Sequence, residues 1–165
     1  FGVTQVLYRL QNVYGPGQSL INPYTGIVSL FARLAKQGQS IPVYEDGQIV
    51  RDFVFIDDVA SAIVAGVLHS PATSTPYDIG LGERTTIMQV AQAIAEHYGA
   101  PAPHVTGQFR DGDVRAAWAD TVRARQALDW EPRVGVTEGI NRLCDWIDAQ
   151  QEAVPSAPSV TATEV

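Results

Sequence analysis

The chain has 165 residues, which is enough to bury one sizeable core and ordinarily forms one domain. Its composition, 45% hydrophobic and 18% charged, is typical of a globular protein, and a net charge of −7 argues against nonspecific binding to nucleic acid or an anionic membrane. There is no apolar run that would span a membrane, and residues 1–4 lack the pattern of a signal peptide, so we expect a cytoplasmic protein.

The first third of the chain predicts a strand, a turn and a helix. Residues Val3 to Leu10 are typical of a strand, and Gly15 to Gly17 end it in a turn. Irregular, polar sequence continues through 22–26. A helix follows, because apolar residues recur at helical spacing on one face, and Gly38 ends it. The residues of that face are Ile27, Leu30, Phe31 and Leu34.

Two short strands and a long helix come next. Ile41 to Tyr44 and Ile49 to Ile56 are predicted as strands around the Asp-Gly turn at 45–47. Arg51 stands at the mouth of the second strand. Apolar residues then recur on one helical face, and Asp57 or Asp58 is placed to cap the helix rather than to act as an acid/base pair. That face comprises Val59, Ala60, Ile63, Val64 and Val67.

A third strand, at Pro76 to Ile79, leads into a glycine-rich segment at 80–85 that imitates the start of a dinucleotide-binding turn. The third glycine of such a turn is missing. Thr86 and Gln89 fit a capping box, so the sequence favours a loop that starts a helix. This helix buries one face and stops near Gly99. The face comprises Ile87, Val90, Ala91, Ile94 and Tyr98.

Two further helices are predicted at 120–128 and 136–150. The second places Cys144, the single cysteine, on an apolar face, so we expect a structural thiol and no disulfide or cysteine-based zinc site. The histidines lack the spacing of a metal motif. The three tryptophans are interpreted as packing residues. From residue 152 onward the chain lacks a periodic apolar face, and we predict a disordered tail at 152–165 after a structured part at 1–151.

Strands that alternate with helices indicate an α/β fold with parallel pairing. Three segments also resemble, in order, the extended short-chain dehydrogenase/reductase family of NAD-dependent nucleotide-sugar epimerases and dehydratases. They run from Arg9 to Gly17, from Arg51 to Ala60 and from Gly112 to Asp120. The resemblance implies the C-terminal part of a Rossmann-type epimerase fold, with the last strands of its parallel sheet (near 3–10 and 76–79) and a small α/β substrate-binding domain.

The family's catalytic pair is absent from this chain. The resemblance implies a Gly-rich dinucleotide turn and a Tyr-x-x-x-Lys pair in members of the family. The only lysine here is Lys36, and the residue four before it is Ala32, so this chain contains no such pair. The resemblance therefore covers the C-terminal portion only, and we predict no catalytic residue in this chain and no activity from the chain alone. If the chain exists without the N-terminal half, its sheet strands lack neighbouring strands. We therefore also predict poor stability as an isolated monomer.

Arg51 and Arg115 match positions that resemble a diphosphate clamp, and arginine suits that role because its planar fork donates parallel charge-assisted hydrogen bonds. The alternative is a pair of surface ion pairs, Arg51 with Asp52 and Arg115 with Asp113. Asn12 follows the first strand, where it either caps a turn or contacts the diphosphate, and the resemblance favours the diphosphate.

Four further positions carry roles that the resemblance implies. Tyr44 lies where the family lines the nucleotide base pocket, although a packing tyrosine is nearly as well supported. Asp120 either approaches the base and ribose or caps the next helix. Leu10 and Gln11 lie nearest the nicotinamide of NAD. The turn at 22–25 resembles a subset that epimerises deoxysugar nucleotides.

These residues predict the substrate-binding portion of an NAD-dependent nucleotide-sugar epimerase, with a dTDP- or UDP-deoxyhexose 4-epimerase as the narrower interpretation. The alternative is a noncatalytic nucleotide-sugar-binding or interaction module without the cofactor half. A nucleotide sugar is the expected partner, with no nucleic acid, membrane or metal. The resemblance leaves a homodimer open for the complete enzyme and does not extend it to this fragment.

Overall fold

A computed structural model describes residues 5–20, 26–69 and 74–150. The start of the first predicted strand, most of the polar segment at 22–26 and the predicted tail at 152–165 lie outside these residues. None of the helices among the described residues is both long enough and apolar enough to cross a bilayer.

Strands and helices alternate along the described chain, as the sequence predicts. The strands are β1 (Tyr8–Leu10), β2 (Asn12–Tyr14), β3 (Pro42–Val43), β4 (Val50–Arg51), β5 (Phe53–Phe55), β6 (Tyr77–Ile79), β7 (Thr85–Thr86) and β8 (His104–Val105). The helices are α1 (Ile27–Lys36), α2 (Ile56–His69), α3 (Ile87–Tyr98), α4 (Val122–Leu128) and α5 (Val136–Ala149).

Parallel pairing dominates the strands. Among the described residues β1 pairs with β6, β2 with β5 and β3 with β8 in parallel, while β4 and β7 are antiparallel. The strands predicted near 3–10 and 76–79 are thus neighbours in one sheet. At Gln11 the chain changes partner: the Gln11 N–H donates to Ile79 at 2.9 Å, and the Asn12 N–H donates to Asp52 at 3.0 Å. One extended segment therefore serves two sheets.

The core is divided into two apolar clusters that share β5. Phe53 and Phe55 point into the larger cluster, formed mainly by α1, α3 and α5, whereas Val54 points into the smaller cluster beside α2, α4 and β6. Successive side chains of a strand alternate between its faces, and a cluster covers each face of β5. All three residues are therefore buried. The larger cluster lies in the part of the chain predicted as the substrate domain, and the smaller one contains the β1–β6 pair.

Helix α3 forms as its sequence signals predict. The Gln89 N–H donates to the Thr86 hydroxyl at 3.1 Å, and the Thr86 N–H donates to the Gln89 side chain at 2.8 Å, which completes the capping box. Gly99 ends the helix with φ +60°. Helix α5 also buries its predicted face, with Cys144 among its buried residues.

The predicted faces of α1 and α2 differ from the observed ones. Helix α1 buries Val28, Phe31, Ala32 and Ala35, and exposes Ile27 and Leu30. Its buried alanines belong to the larger cluster, to which α3 also contributes. Helix α2 buries Val59, Ala62 and Gly66, while most of the predicted face points outward. The exposed apolar residues of α2 are Ile56, Ile63, Val64, Val67 and Leu68.

The predicted strand at 49–56 is divided by Asp52. Residues before Asp52 form β4 and residues after it form β5, with different partners. Helix α2 already begins at Ile56, so Asp57 and Asp58 lie inside its first turn rather than at its N-cap. Asp58 is buried, and its carboxylate accepts the N–H groups of Arg133 and Val134 at 2.9 and 3.0 Å. The capping role predicted for Asp58 is therefore wrong.

Candidate functional site

Asp52 is fully buried, with 0% exposure, between β4 and β5. Its carboxylate accepts N–H groups from Leu81 at 2.8 Å, Gly82 at 3.0 Å and Ala119 at 3.1 Å. A buried carboxylate is costly unless such donors replace its hydration. Asp52 therefore joins the strand that carries Arg51 to two distant segments of the chain.

The glycine-rich turn at 80–82 accommodates this carboxylate. A Cβ at Gly80 would collide with the Asp52 oxygen Oδ2, so only glycine fits there without displacing the acid. The N–H groups of this turn do bind an anion, but the anion is a side chain of the same protein. This explains why the segment imitates a dinucleotide turn without having its third glycine.

Arg51 and the loop before α4 lie against each other. The Val50 N–H donates to the Arg115 carbonyl at 3.0 Å, and the Ala117 N–H donates to Val50 at 3.1 Å. The Arg51 guanidinium donates to the carbonyl groups of Val50 at 2.8 Å and Val114 at 2.6 Å. The structure thus brings the two predicted clamp segments, 51 and 115, into one neighbourhood.

Arg115 is engaged by an acidic turn. Its guanidinium donates to both carboxylate oxygens of Asp46, at 2.6 and 2.7 Å, and to Glu45 at 2.9 Å. Hydrogen bonding to Arg115 lowers the pKa of Asp46 below its usual range, and the two carboxylates raise the pKa of Arg115. The surface pairs considered from sequence, Arg51 with Asp52 and Arg115 with Asp113, do not form: Arg51 donates to backbone carbonyls, Asp52 accepts backbone N–H groups, and Arg115 pairs with Asp46 and Glu45.

Arg110 lies in the same loop and was not singled out from the sequence. Its side chain is exposed and makes no hydrogen bond or ion pair within the described residues. Gly112, with φ +86°, turns the chain between Arg110 and Arg115. Because no carboxylate competes for Arg110, it is more available to a ligand than Arg115. No motif or spacing in the sequence distinguishes Arg110 from the other arginines.

Asn12 lies next to Arg51 through the backbone of Asp52. Both the Asn12 N–H and its side-chain amide donate to the Asp52 carbonyl, at 3.0 and 3.1 Å. The residue is exposed at the start of β2. This bond uses the side-chain N–H of Asn12 and orients the amide beside the strand that carries Arg51. It leaves the side-chain oxygen for another donor.

Tyr44 and Asp120 border the same region. Tyr44 is 44% exposed and immediately precedes the acidic turn that holds Arg115, and this exposure is compatible with both a half-buried packing tyrosine and a base-pocket residue. Asp120 is also exposed, and its carboxylate accepts the Val122 N–H, the first of α4, at 3.1 Å. That bond supports the helix-start role, and the exposed carboxylate is also accessible to a ligand.

Leu10 and Gln11 stand at the carboxyl end of the parallel β1–β6 pair. Ligands of open α/β sheets bind at such ends. Leu10 is 44% exposed. The Leu7 carbonyl and the Gln11 N–H form backbone hydrogen bonds with β6. Neighbouring residues of an extended strand direct their backbone groups to opposite sides, so the N–H and carbonyl of Leu10 face away from β6.

The sequence also assigns roles to possible metal ligands, to Cys144 and to the tryptophans. There is no cluster of metal-ligating side chains among them. Cys144 is buried, and burial raises the pKa of its thiol to about 11, which fits the structural role predicted for it. Trp130 is buried, whereas Trp118 is exposed with the Arg84 guanidinium 3.8 Å above its ring, so Trp118 is not a simple packing residue.

Comparisons with known proteins give a consistent family. Residues 1–143 match the family described as GDP-mannose 4,6 dehydratase. The chain is 55% identical over 141 residues to dTDP-L-rhamnose 4-epimerase of Burkholderia thailandensis, covering 86% of this chain and 39% of that protein. It is 36% identical over 138 residues to UDP-glucose 4-epimerase of Mycolicibacterium smegmatis, covering 82% of this chain and 42% of that protein.

Solved structures agree with these relatives. UDP-glucose 4-epimerase of Thermotoga maritima, solved with UDP-glucose, superimposes with a TM-score of 0.84 at 30% identity and covers 92% of this chain and 48% of its own. The UDP-glucose 4-epimerase of Thermus thermophilus, in complex with NAD, gives 0.75 at 32% identity, over 93% and 49%. The chain spans less than half the length of these relatives and corresponds to their C-terminal part. The chain therefore belongs to the GDP-mannose 4,6 dehydratase family of NAD-dependent nucleotide-sugar epimerases and dehydratases, with the Rossmann-type fold that the sequence predicted.

Proposed function

We propose that this chain is the substrate-binding portion of an NAD-dependent nucleotide-sugar 4-epimerase and that it holds the nucleotide diphosphate. The observation that carries the proposal is the contact between β4 and the loop at 114–117, which places Arg51 and Arg115 on adjacent backbone segments. A diphosphate spreads its charge over several oxygens, and neighbouring guanidinium groups meet that charge with parallel hydrogen bonds.

Each candidate residue then has a defined task. Arg51 and Arg115 bind the diphosphate, and Asn12 donates or accepts a hydrogen bond beside them. Tyr44 and Asp120 line the nucleoside end, and Leu10 and Gln11 hold the nicotinamide at the end of β1. NAD held there would supply reversible hydride exchange with the sugar. Binding energy from the distant diphosphate keeps the reacting carbon in position for that exchange.

A deoxyhexose substrate is the narrower proposal. It is supported by 55% identity to a dTDP-L-rhamnose 4-epimerase, compared with 36% to a UDP-glucose 4-epimerase. The turn at 22–25, which resembles the same subset, lies outside the described residues. We therefore expect dTDP-L-rhamnose to bind more tightly than UDP-glucose.

The test uses the complete enzyme and isothermal calorimetry with dTDP, dTDP-L-rhamnose and UDP-glucose. Arg51→Ala and Arg115→Ala should each weaken dTDP binding by roughly tenfold or more, the loss expected for a charge-assisted hydrogen bond. Arg142→Ala is the control, because Arg142 is about as exposed as Arg115, 48% against 53%, but pairs with Glu138 within α5. Unchanged affinity in both clamp variants would remove the assignment.

Arg110→Ala belongs in the same series. Arg110 has no ion pair among the described residues, whereas Arg115 is held by Asp46 and Glu45. If Arg110→Ala weakens dTDP binding and Arg115→Ala does not, the second arm of the clamp is Arg110, and Arg115 instead shapes the loop. Loss in both variants would make the loop a two-arginine site.

The second candidate is a noncatalytic nucleotide-sugar-binding module, favoured by the absence of a Tyr-x-x-x-Lys pair in these 165 residues. Intact-mass measurement of the native gene product separates the two. A chain about twice this length that interconverts dTDP-sugars supports the enzyme. A product of this length that binds the sugars without turnover supports the module.

A further inference from the structure

Resting on the proposed function, we propose that Asp52 is a positioning residue: its buried carboxylate sets where Arg51 and the loop before α4 stand relative to each other. Asp52 touches no expected ligand position itself. Its role would be exerted through the three N–H groups that it accepts, from Leu81, Gly82 and Ala119.

The charge of Asp52 is not explained by core stability. Removing a carboxylate from water is expensive, and buried ionic groups stabilise a fold no better than well-packed apolar residues of similar size. At 0% exposure, with Phe53 next to it in the larger apolar cluster, an apolar residue would serve packing alone. What an apolar residue cannot do is accept hydrogen bonds from two separate backbone segments.

Asp52 is connected to most of the proposed site, partly through its backbone and partly through its carboxylate, and the carboxylate itself reaches the loop before α4 through Ala119. The Asp52 carbonyl accepts both bonds from Asn12, Asp52 follows Arg51 directly, and its carboxylate accepts the Ala119 N–H next to Asp120. Four of the five proposed substrate-binding residues are therefore adjacent to Asp52, bonded to it, or in the loop that it anchors. The remaining one, Tyr44, lies on the turn that binds Arg115.

Hydrogen bonds and ion pairs, rather than apolar packing, hold the loop before α4. Residues 107–116 are all exposed, Trp118 is exposed, and Ala119 is the first buried residue before α4. Apolar packing therefore does not fix the loop. On one side it is held by the Glu45 N–H, which donates to Gln108, and by the ion pairs of Arg115 with Asp46 and Glu45. On the other side its position depends on hydrogen bonds to three residues, Val50, Arg51 and Asp52. Of these three residues, Asp52 is the buried one, so its bond is the least exposed to competition by water.

Asp58 provides a matched control. It too is a buried carboxylate that accepts backbone N–H groups, from Arg133 and Val134, and it lies six residues further along the same strand–helix unit. Its partners lead into α5 and not into the proposed site. Asp58→Asn should therefore reproduce the structural cost of losing a buried carboxylate without disturbing the clamp.

The experiment compares Asp52→Asn and Asp58→Asn in the complete enzyme, with dTDP calorimetry and steady-state kinetics well below each variant's Tm. Both variants should lower Tm. Asp52→Asn should weaken dTDP binding and raise KM by at least roughly tenfold, since displacement of binding groups by about 1 Å is costly. Asp58→Asn should stay within about twofold of the unmutated enzyme.

A second variant covers the case in which Asp52→Asn does not fold. Gly80→Ala keeps the charge but pushes a Cβ into the Asp52 carboxylate, and it should weaken dTDP binding in the same direction. Equal affinities in the Asp52, Gly80 and Asp58 variants would overturn the positioning role while leaving the proposed function intact. If the unmutated enzyme binds neither dTDP nor dTDP-L-rhamnose, the proposed function fails first and the positioning role falls with it.

Discussion

At the residue scale, the buried Cys144 thiol has a measurable consequence for stability at alkaline pH. Its pKa rises from 9.0 to about 11 through burial, so between these values the unfolded chain loses a proton that the folded chain retains. Stability is therefore fully present below pH 9 and falls as the pH rises toward 11. Burial also raises the pKa of Tyr14 and of Tyr98, which act in the same direction.

We expect the free energy of unfolding to fall by at most about 1.4 kcal/mol per pH unit from the thiol over this window. Urea titrations at pH 7 to 10.5 measure it. In Cys144→Ala the thiol's part of the slope should vanish and the tyrosine part should remain. Rapid modification of the native protein by a thiol reagent at pH 8 would contradict the buried state.

The Asp46–Arg115 ion pair competes with any anion that uses Arg115. Asp46→Asn removes the bidentate partner and should strengthen dTDP binding in the complete enzyme by roughly two- to fivefold, the range of an exposed ion pair. Because Arg115 lowers the pKa of Asp46, acidification from pH 7 to 5 should not imitate this variant. Unchanged dTDP affinity in Asp46→Asn would indicate that Arg115 is not a ligand.

Sequence patterns could identify the acidic residues but not their partners. Asp52, Asp57 and Asp58 all stand near a strand-to-helix junction, where capping is the usual role of an acid. The donors that Asp52 and Asp58 accept come from residues 81, 82, 119, 133 and 134, distances along the chain that local rules do not address. For the same reason Arg115 was matched with Asp113, its near neighbour, rather than with Asp46.

At the scale of elements, local signals succeeded where they are self-contained. The capping box of α3 uses only Thr86 and Gln89, and it forms as predicted. Thr86→Ala should cost about 1 kcal/mol of unfolding free energy, measured by urea denaturation. Thr137→Ala, at an exposed position in the first turn of α5, should change it by less than about 0.5 kcal/mol. Equal effects would mean that the box contributes nothing.

Helical periodicity failed where a helix is apolar on more than one side. Helix α2 has apolar residues around most of its circumference, so spacing selects no face, and the observed contact side is the one with small residues, including Gly66 beneath the Tyr8 ring. Helix α1, which packs against α3, likewise buries its alanines in the larger cluster. In both cases the shape of the neighbouring element decides which face is buried, and shape is not encoded in hydropathy.

At the scale of the whole molecule, the outer face of α2 presents apolar side chains to solvent, with Val64 57% and Val67 76% exposed. Exposed apolar patches of this kind mark contact surfaces or aggregation sites. Since the relatives are about twice as long as this chain, we expect the rest of the full-length protein to cover this face. The poor stability predicted for the isolated chain rests on missing neighbouring strands, and the exposed face of α2 gives a second reason to expect it.

Val64→Lys and Val67→Lys should therefore have opposite effects in two settings. In the isolated 165-residue chain they should raise the soluble fraction, and in the full-length protein they should lower the free energy of unfolding by roughly 1–3 kcal/mol each. Val122→Lys, at 55% exposure on α4, should have a small effect in both. If Val64→Lys and Val122→Lys behave alike in the full-length protein, the α2 face is solvent-exposed there as well.

The change of hydrogen-bond partner at Gln11 limits how the two apolar clusters can move relative to each other. The consecutive N–H groups of Gln11 and Asn12 tie one extended segment to β6 on one side and to Asp52, at the start of β5, on the other. Rotating the larger cluster against the smaller one would break one of these two bonds and bend β5, whose faces belong to both clusters. The described part of the chain should therefore move as one rigid unit. A displacement near Arg51 should also displace Leu10, since no hinge lies between them.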